Sequence, residues 1–181
     1  MVATSMIQTP ASPSSAADQA PVVPLADLFP LLPARGTLLG LDLGTKTIGV
    51  ATCDPDRRLA TVVETVRRTK FTADAQRLLH LAADRKAVAF VLGLPLNMDG
   101  TEGPRAQASR AFARNFARLS GCPIALWDER LSTAAVERVL ISADVSRAKR
   151  AAVIDQHAAA FILQGALDFL SRVAVRLQEE A

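Results

Sequence analysis

The chain has 181 residues, half of them hydrophobic, which predicts a single domain with an apolar core. Its formal net charge of +3 and pI of about 9.3 are compatible with a nucleic-acid partner without establishing one. No run of 18 apolar residues occurs, which argues against a membrane span. The two cysteines, Cys53 and Cys122, form neither a metal set nor a disulfide framework, and such isolated cysteines are typical of proteins in a reducing compartment.

The first 35 residues differ in composition from the remainder. Met1 to Pro33 holds six of the ten prolines together with much Ala, Ser and Thr, and it lacks the basic and apolar regions of a secretory signal. We therefore predict a disordered tail over residues 1–24, while the more apolar Leu25 to Leu32 is predicted to dock on the domain. The predicted boundaries are a disordered or loosely docked extension over 1–35 and a folded domain over 36–181.

The stretch LLGLDLGTKTIGVA, Leu38 to Ala51, predicts a β-hairpin, because a short Gly-containing link separates two apolar runs. Alternation along the first strand places Asp42 on the same face as Leu38 and Gly40. A carboxylate in so apolar a strand is costly to bury without a partner, which a metal ion, a backbone amide or a lysine would supply. Capping of its own hairpin is the structural alternative for Asp42.

Apolar periodicity and turn residues predict the other elements in chain order. The predicted strands are 38–43, 47–53, 59–67, 87–92 and 123–127, and the predicted helices are 72–85 with Thr72 as N-cap, 104–119, 132–142 with Ser132 as N-cap, and 151–179. A three-strand meander followed by two αβ units implies an α/β protein with one mixed sheet and helices packed on it.

Three acidic residues are predicted to converge at one end of this sheet. Asp42 lies late in the first strand, Glu129 follows the last strand, and Asp155 lies on an apolar stripe of the last helix. Sites in open α/β sheets lie outside the carboxyl ends of the strands. Converging carboxylates favour a hard cation, so we predict one or two Mg²⁺ or Mn²⁺ ions that activate water and stabilise the leaving oxygen of a phosphodiester.

Each of these acids also has a structural interpretation. Glu129 can pair with Arg130 or with a helix end, and Asp155 near a helix N-terminus is favoured by the helix dipole. Asp128, beside Glu129, is predicted to cap or support the site rather than to bind a metal. By spacing alone, three acids are easily chosen from the eighteen in the chain.

Basic side chains supply candidate contacts to phosphate groups. Lys46 and Lys149 are either ordinary loop lysines or residues that hold a phosphate. An arginine stripe on the second predicted helix consists of Arg110, Arg114 and Arg118. This stripe is either a solvated face or, with a second basic cluster over 147–150, a surface that binds the nucleic-acid backbone in a salt-dependent manner.

Four motifs occur in order along the chain: GLDLGTKTIGVA, LGLPLNMDGTEG, DERLST and IDQHAAAFILQGALD. Together they resemble the YqgF family, also called the RuvX or pre-16S rRNA nuclease family, over about residues 36–170. The resemblance implies an RNase H-like fold with a five-stranded mixed sheet. It also implies a nuclease that trims the 5′ end of pre-16S rRNA, with likeness to Holliday junction resolvases.

The resemblance also assigns roles to individual residues. It implies that the metal-binding and catalytic acids are Asp42, Glu129 and Asp155. It matches the basic catalytic position to Lys149, with Arg150 as the rival. It implies a loop bordering the substrate at Gly93, Pro95, Asn97, Asp99 and Gly100. The predicted substrate contacts are Lys46, Asn97, Arg114, Arg118 and Arg150.

The motifs leave more than one function open at this point. The hairpin also resembles the first phosphate loop of actin-like kinases and ATPases. Those proteins need two domains, and only Gly121 and Gly165 follow Gly103 here, so we expect no nucleotide cofactor. A resolvase-type DNA nuclease and a non-catalytic RNA-binding or assembly factor are two further candidate functions. We expect a cytoplasmic protein with a nucleic-acid partner, pre-rRNA or branched DNA, and no membrane partner; the sequence specifies neither metal count nor oligomeric state.

Overall fold

The computed structural model describes residues 20–131, 141 and 146–180, without the side chains of residues 148, 150–152 and 155. The strands are β1 (Val22–Pro24), β2 (Thr37–Leu43), β3 (Thr47–Cys53), β4 (Ala60–Arg67), β5 (Ala87–Leu94) and β6 (Ile124–Asp128). The helices are α1 (Phe71–Arg85), α2 (Pro104–Ser120) and α3 (Arg147–Glu179). The predicted helix over 132–142, with its N-cap at Ser132, lies outside the described residues except for Ile141.

The strands form one mixed sheet in the order β1-β6-β5-β2-β3-β4. β2, β5 and β6 run parallel, whereas β3 is antiparallel to both β2 and β4. α1 and α2 pack on one face, where Phe116 contacts both Phe90 and Phe112. α3 packs on the other face, where Leu163 joins a buried cluster with Val91. The predicted α/β class and mixed sheet are therefore confirmed.

The described chain gives this sheet six strands, so the predicted number of five is wrong by one. The additional strand, β1, pairs in parallel with β6, with Val23 opposite Ala125. It comes from residues that the sequence assigned to a disordered tail, because three residues ending in proline show no alternation. Pairing with β6 and burial of the following Leu25 and Leu28 stabilise it instead. Two short 3₁₀ helices, Leu25–Asp27 and Phe29–Leu31, with Leu28 between them, carry the chain towards β2.

Helix α1 begins one residue earlier than predicted and does not use Thr72 as its N-cap. Lys70 holds the N-cap position and makes no side-chain capping bond. The first turn is tied to the preceding loop by Asp74, which is buried and accepts hydrogen bonds from the Thr69 backbone nitrogen (3.0 Å) and hydroxyl (3.1 Å). Asp74 therefore has a structural role.

Helix α3 is continuous through Gly165 and begins four residues earlier than the predicted helix over 151–179. Within the described residues, one helical segment, Gln156–Glu179, has the length and apolar composition that could span a membrane. Its residues Leu163 and Leu167 are buried in the core against the sheet. This segment is therefore packed in the manner of a core helix of a globular domain.

Gly40 allows α3 to cross β2 at close range. An added Cβ at Gly40 would lie 2.6 Å from the Leu163 Cβ and 2.9 Å from the Ala159 carbonyl oxygen. Ala159 also approaches Gly49, which lies opposite Asp42 near the carboxyl end of β2. α3 is thus antiparallel to β2, and its first turns lie towards the carboxyl edge of the sheet.

The substitution Gly40→Ala is expected to lower the free energy of unfolding by about 2–3 kcal/mol, because the new methyl group must displace the backbone of α3. Urea unfolding followed by circular dichroism measures the change. Gly103→Ala is the control: an added Cβ there meets no atom closer than 3.5 Å, so only the weaker N-cap of α2 reduces stability, by up to about 1 kcal/mol. Equal stability of Gly40→Ala and the wild type would contradict the close approach.

Candidate active site

Asp42 lies half-buried at the carboxyl end of β2, opposite Gly49 of β3. The absence of a side chain at Gly49 leaves it room, since an added Cβ there would lie 3.5 Å from the Asp42 Cβ and 3.3 Å from the Ala159 Cβ. A small cleft of about 40 Å³ opens between the hairpin, β4 and α3, and its lining includes Asp42, Gln156 and Ala159. Asp42 therefore lies on the face of the sheet that α3 covers.

The side chain of Glu129 extends over Gly93 towards Asp42. β2 and β5 are in parallel register up to the residues just before Asp42 and Gly93, so these two are the next neighbours across the strands. An added Cβ at Gly93 would overlap the Oε1 of Glu129 and would lie 2.7 Å from the Ile162 Cδ1 of α3. The Glu129 carboxylate thus fills the space that the glycine leaves open, between β5 and α3.

The electrostatics of this position are unfavourable for a second negative charge. Burial raises the pKa of Glu129 from its ordinary value of 4.5 to about 7, and the charges of Asp42 and Asp128 raise it in the same direction. The positive charge of Arg105 opposes them. Near neutral pH the carboxyl group of Glu129 is therefore poised between its two protonation states, and a cation bound beside it would favour the ionised form.

Asp128 is held by an arginine and differs from Glu129 in this respect. Arg130 donates from Nε to one carboxylate oxygen of Asp128 (3.0 Å) and from Nη2 to the other (2.6 Å), and this pairing lowers the pKa of Asp128. The interpretation in which Arg130 forms its ion pair with Glu129 is therefore wrong. Arg130 Nη1 also donates to the carbonyl oxygens of Asn97 and Met98 at 3.2 Å, so it ties the end of β6 to the loop after β5.

Arg105 is a basic residue near the acids that sequence reasoning missed. It is exposed in the first turn of α2, directly after Pro104, and its charge acts on Glu129. The chain contains many arginines, and this one is near the site only because the loop after β5 brings the start of α2 to the carboxyl edge of the sheet. Pro104 is typical of the first turn of a helix, so it is the sequence feature that could have placed Arg105 at the start of α2.

The predicted substrate contacts are spread over a wide surface. Lys46, in the β2–β3 turn, and Asn97, in the loop after β5, both follow strand ends at the carboxyl edge of the sheet. Arg114 and Arg118 are exposed on α2. They lie about 14 Å and about 20 Å along the helix from Arg105, towards the opposite edge.

The third predicted acid lies on the same helix that covers the first two. Ala159 and Ile162 of α3 approach Gly49 and Gly93, and Asp155 is one turn before Ala159 on this stripe. The side chains of Asp155 and of Arg150 lie outside the described residues. Lys149 is exposed in the first turn of α3. Among the described side chains, no three His, Cys, Asp or Glu residues form a potential metal cluster.

The motifs around these acids match a known family along most of the chain. A model of the RuvX family, described as Holliday junction resolvase, matches residues 36–169. The chain belongs to this family. The order of the central strands, β4-β3-β2-β5-β6 with β3 antiparallel to its neighbours, is the RNase H-like arrangement that the resemblance of the four motifs implied.

Relatives of this RuvX chain are similar over nearly their whole length. A protein of Rhodopseudomonas palustris (strain BisB5) named "Putative pre-16S rRNA nuclease" is 74% identical over 151 residues, which cover 83% of this chain and 94% of the relative. A Nitrobacter winogradskyi protein of the same name is 70% identical over 152 residues, 84% of this chain and 93% of the relative. The solved structure of T. thermophilus RuvC with a Holliday junction substrate has a TM-score of 0.49 and 13% identity, covering 76% of this chain and 95% of that chain.

The two charged neighbours of Glu129 in this RuvX protein are expected to shift its pKa in opposite directions. Asp42→Asn removes a negative charge and should lower the pKa, whereas Arg105→Gln removes a positive charge and should raise it. A ¹³C NMR titration of the glutamate carboxyl groups measures both changes. Arg118→Gln, at the far end of α2, is the control. A shift of the same sign in the first two variants would contradict the arrangement.

Proposed function

We propose that this RuvX protein is a metal-dependent endonuclease that hydrolyses phosphodiester bonds in structured nucleic acid, and that it processes the 5′ end of pre-16S rRNA in the cytoplasm during ribosome biogenesis. The observation that carries the proposal is that the Glu129 carboxylate occupies the space over Gly93, on the strand beside Asp42 and within reach of its charge, at the carboxyl edge of the sheet. Family membership and the names of the relatives support the nuclease assignment and the choice of rRNA.

The donor chemistry fits Mg²⁺ or Mn²⁺. Carboxylate oxygens are hard ligands. Burial first, and then the negative charge of Asp42, raise the pKa of Glu129, and a divalent cation bound between the two carboxylates would offset both effects. Asp155, one turn before the helix residue that packs beside Asp42, is the third proposed ligand. One or two such ions, when bound, would supply an activated water and stabilise the leaving oxygen of the phosphodiester.

The basic and amide side chains at the carboxyl edge orient the substrate in this proposal. Lys46 and Asn97 contact phosphate groups next to the scissile bond. Lys149 offsets the charge that develops on the phosphate, and Arg150 is its rival for this role. Arg105 adds a positive charge on the side of Glu129 that faces α2, so it both favours the ionised carboxylate and attracts the backbone of the substrate.

Arg114 and Arg118 extend this surface along α2 towards the opposite edge of the sheet. If they contact phosphate groups, replacing both by glutamine should reduce the slope of log affinity against log salt concentration by about 1–2. Fluorescence anisotropy with a labelled RNA measures the slope. An unchanged slope would show that these arginines form only a solvated face.

The test is a cleavage assay on pre-rRNA 5′ ends and four-way DNA junctions in Mn²⁺, with Asp42→Asn beside the wild type. We expect the wild type to cleave the pre-rRNA and the variant to lose more than about 100-fold in rate. Asp168→Asn, an exposed carboxylate further along α3, should retain full activity. Equal cleavage by Asp42→Asn and the wild type would refute this site.

The same experiment separates the competing functions. Cleavage confined to the DNA junction would identify a resolvase-type enzyme. Binding without cleavage of either substrate would identify a non-catalytic RNA-binding or assembly factor. Calorimetric titrations with Mg²⁺ and with ATP test whether the chain binds a nucleotide, as actin-like kinases and ATPases do. A nucleotide-binding protein would release or absorb heat when ATP is added. We expect a heat of binding with Mg²⁺ and none with ATP.

A further inference from the structure

Met98 is the most exposed large apolar residue in the described part of the chain. It is 89% exposed, and the next, Leu59, is 62% exposed. It lies in the turn after β5, at the same edge of the sheet as Asp42 and Glu129. Single exposed apolar residues are common on protein surfaces, so exposure alone assigns nothing to Met98.

The turn that presents Met98 is held by several hydrogen bonds. The Gly100 nitrogen donates to the Asn97 carbonyl oxygen (2.8 Å), which places Met98 at the tip of a β-turn. The Asn97 nitrogen donates to the Thr101 carbonyl oxygen (2.9 Å), and Asp99 accepts from both the nitrogen (2.9 Å) and the hydroxyl (2.6 Å) of Thr101. The tip is therefore fixed in place.

The same turn is anchored to the acidic site. Arg130 donates to the carbonyl oxygens of Asn97 and Met98, and its other nitrogens are paired with Asp128, the residue directly before Glu129. The position of Met98 is thereby fixed relative to the Glu129 carboxylate. Met98 and the two acids thus belong to one edge of the sheet, and a substrate strand that crosses this edge at the acids would lie beside the apolar tip.

We propose that Met98 determines specificity by inserting its side chain against an unstacked base of the nucleic acid held at the acid pair; this rests on the proposed function. An unbranched thioether is flexible and polarizable, and apolar wedges of this kind insert between bases at steps that are already unstacked or easily opened. In a continuous duplex, two neighbouring bases must first be unstacked, which costs free energy. Met98 therefore favours substrates with a strand end, a junction or a distorted step over a continuous duplex.

Aromatic side chains are the usual platforms for base stacking, but the most exposed described aromatic residue at this edge, Phe71 at the start of α1, is only 37% exposed and packs edge-on against Phe112. Trp127, in the strand that leads to the site, is 6% exposed, and Phe90 and Phe116 are fully buried. The chain has no tyrosine. Leu131, which follows Glu129 and Arg130 at the same edge, is also exposed (58%), but Met98 is the more exposed of the two and lies at the tip of a hydrogen-bonded turn.

The test uses two RNAs of equal length, one with a junction between duplex and single strand and one continuous duplex, with 2-aminopurine at the junction position. Affinity and fluorescence are measured with Ca²⁺ in place of Mg²⁺, so that binding is observed without turnover. Met98→Ala should weaken binding to the junction by about 5- to 20-fold and abolish the fluorescence change, while affinity for the continuous duplex is unchanged. Met98→Phe should restore both readouts.

Leu119→Ala is the matched control, because Leu119 is an exposed apolar residue (52%) at the other end of α2. It should change neither affinity. Equal loss on both RNAs, or no loss on either, with Met98→Ala would overturn the wedge whether or not the wild type cleaves RNA. If the wild type binds but never cleaves, and Met98→Ala still removes its preference for the junction, the wedge is supported while the nuclease proposal is refuted, so the two failures are distinguishable.

Discussion

Glu129→Gln is expected to abolish cleavage and, at the same time, to make the metal-free protein more stable above neutral pH. The amide keeps the shape of the carboxyl group, but it carries no charge and cannot serve as an anionic metal ligand. We expect cleavage to fall by more than about 100-fold. The gain in stability follows from the environment of Glu129, where burial and the charge of Asp42 oppose ionisation.

The pH dependence of that gain has a definite sign. The pKa of Glu129 is about 7 in the folded protein and is taken as 4.5 in the unfolded chain, so the folded state binds the proton more tightly between these values. The contribution of Glu129 to stability is therefore fully present below pH 4.5 and is lost as the pH rises through 7. Wild type and Glu129→Gln should have equal stability near the lower value and should diverge above it.

The size of the divergence is expected to be about 1–2 kcal/mol in favour of the variant, because Glu129 is partly exposed and solvent screens part of the effect. Urea unfolding at a series of pH values, in the presence of a chelator, measures it. Glu179→Gln, at the exposed end of α3, is the control and should change neither stability nor cleavage. A variant that is less stable than the wild type at pH 8 would contradict the placement of Glu129.

The sequence predicted the parts of the fold that local patterns specify. The hairpin of β2 and β3 is specified by two apolar runs and a short link, and the placement of Asp42 on the Gly40 face follows from alternation alone. β1 could not be predicted in this way. Val22–Pro24 is too short to show a period, and it forms a strand because β6 and the buried leucines after it provide tertiary contacts.

The candidate site shows the same division. Asp42 was predicted from its place late in an apolar strand and Glu129 from its place after one, and the structure brings them to the same edge of the sheet. The contributions of Gly93 and Arg105 were missed, because each depends on what a distant element places beside it. Gly93 was recognised only as part of a loop motif, whereas in the structure its missing side chain is the space that Glu129 occupies. The ion pair of Arg130 with Asp128 rather than with Glu129 likewise depends on side-chain geometry after the end of β6, which the sequence pattern does not specify.

Gly93→Ala tests whether the two acids depend on that space. The added methyl group overlaps the Oε1 of Glu129 and lies 2.7 Å from the Ile162 Cδ1, so either the Glu129 side chain or α3 must move. The end of a flexible side chain moves at lower cost than a packed helix, and we therefore expect Glu129 to turn away from Asp42. Cleavage should then fall by about 100-fold or more, and the pKa of Glu129 should fall from about 7 towards 4.5.

Two further variants identify the cause of that loss. Gly40→Ala displaces α3 but leaves the space over Gly93 open, so it should reduce stability while lowering the pKa of Glu129 far less than Gly93→Ala does. The double variant Gly93→Ala with Glu129→Gln should lose no more activity than Glu129→Gln alone, because both substitutions remove the same carboxylate from the site. Additive losses would mean that Gly93 acts through another residue. Full activity of Gly93→Ala with an unchanged Glu129 pKa would show that the acids do not meet over this glycine.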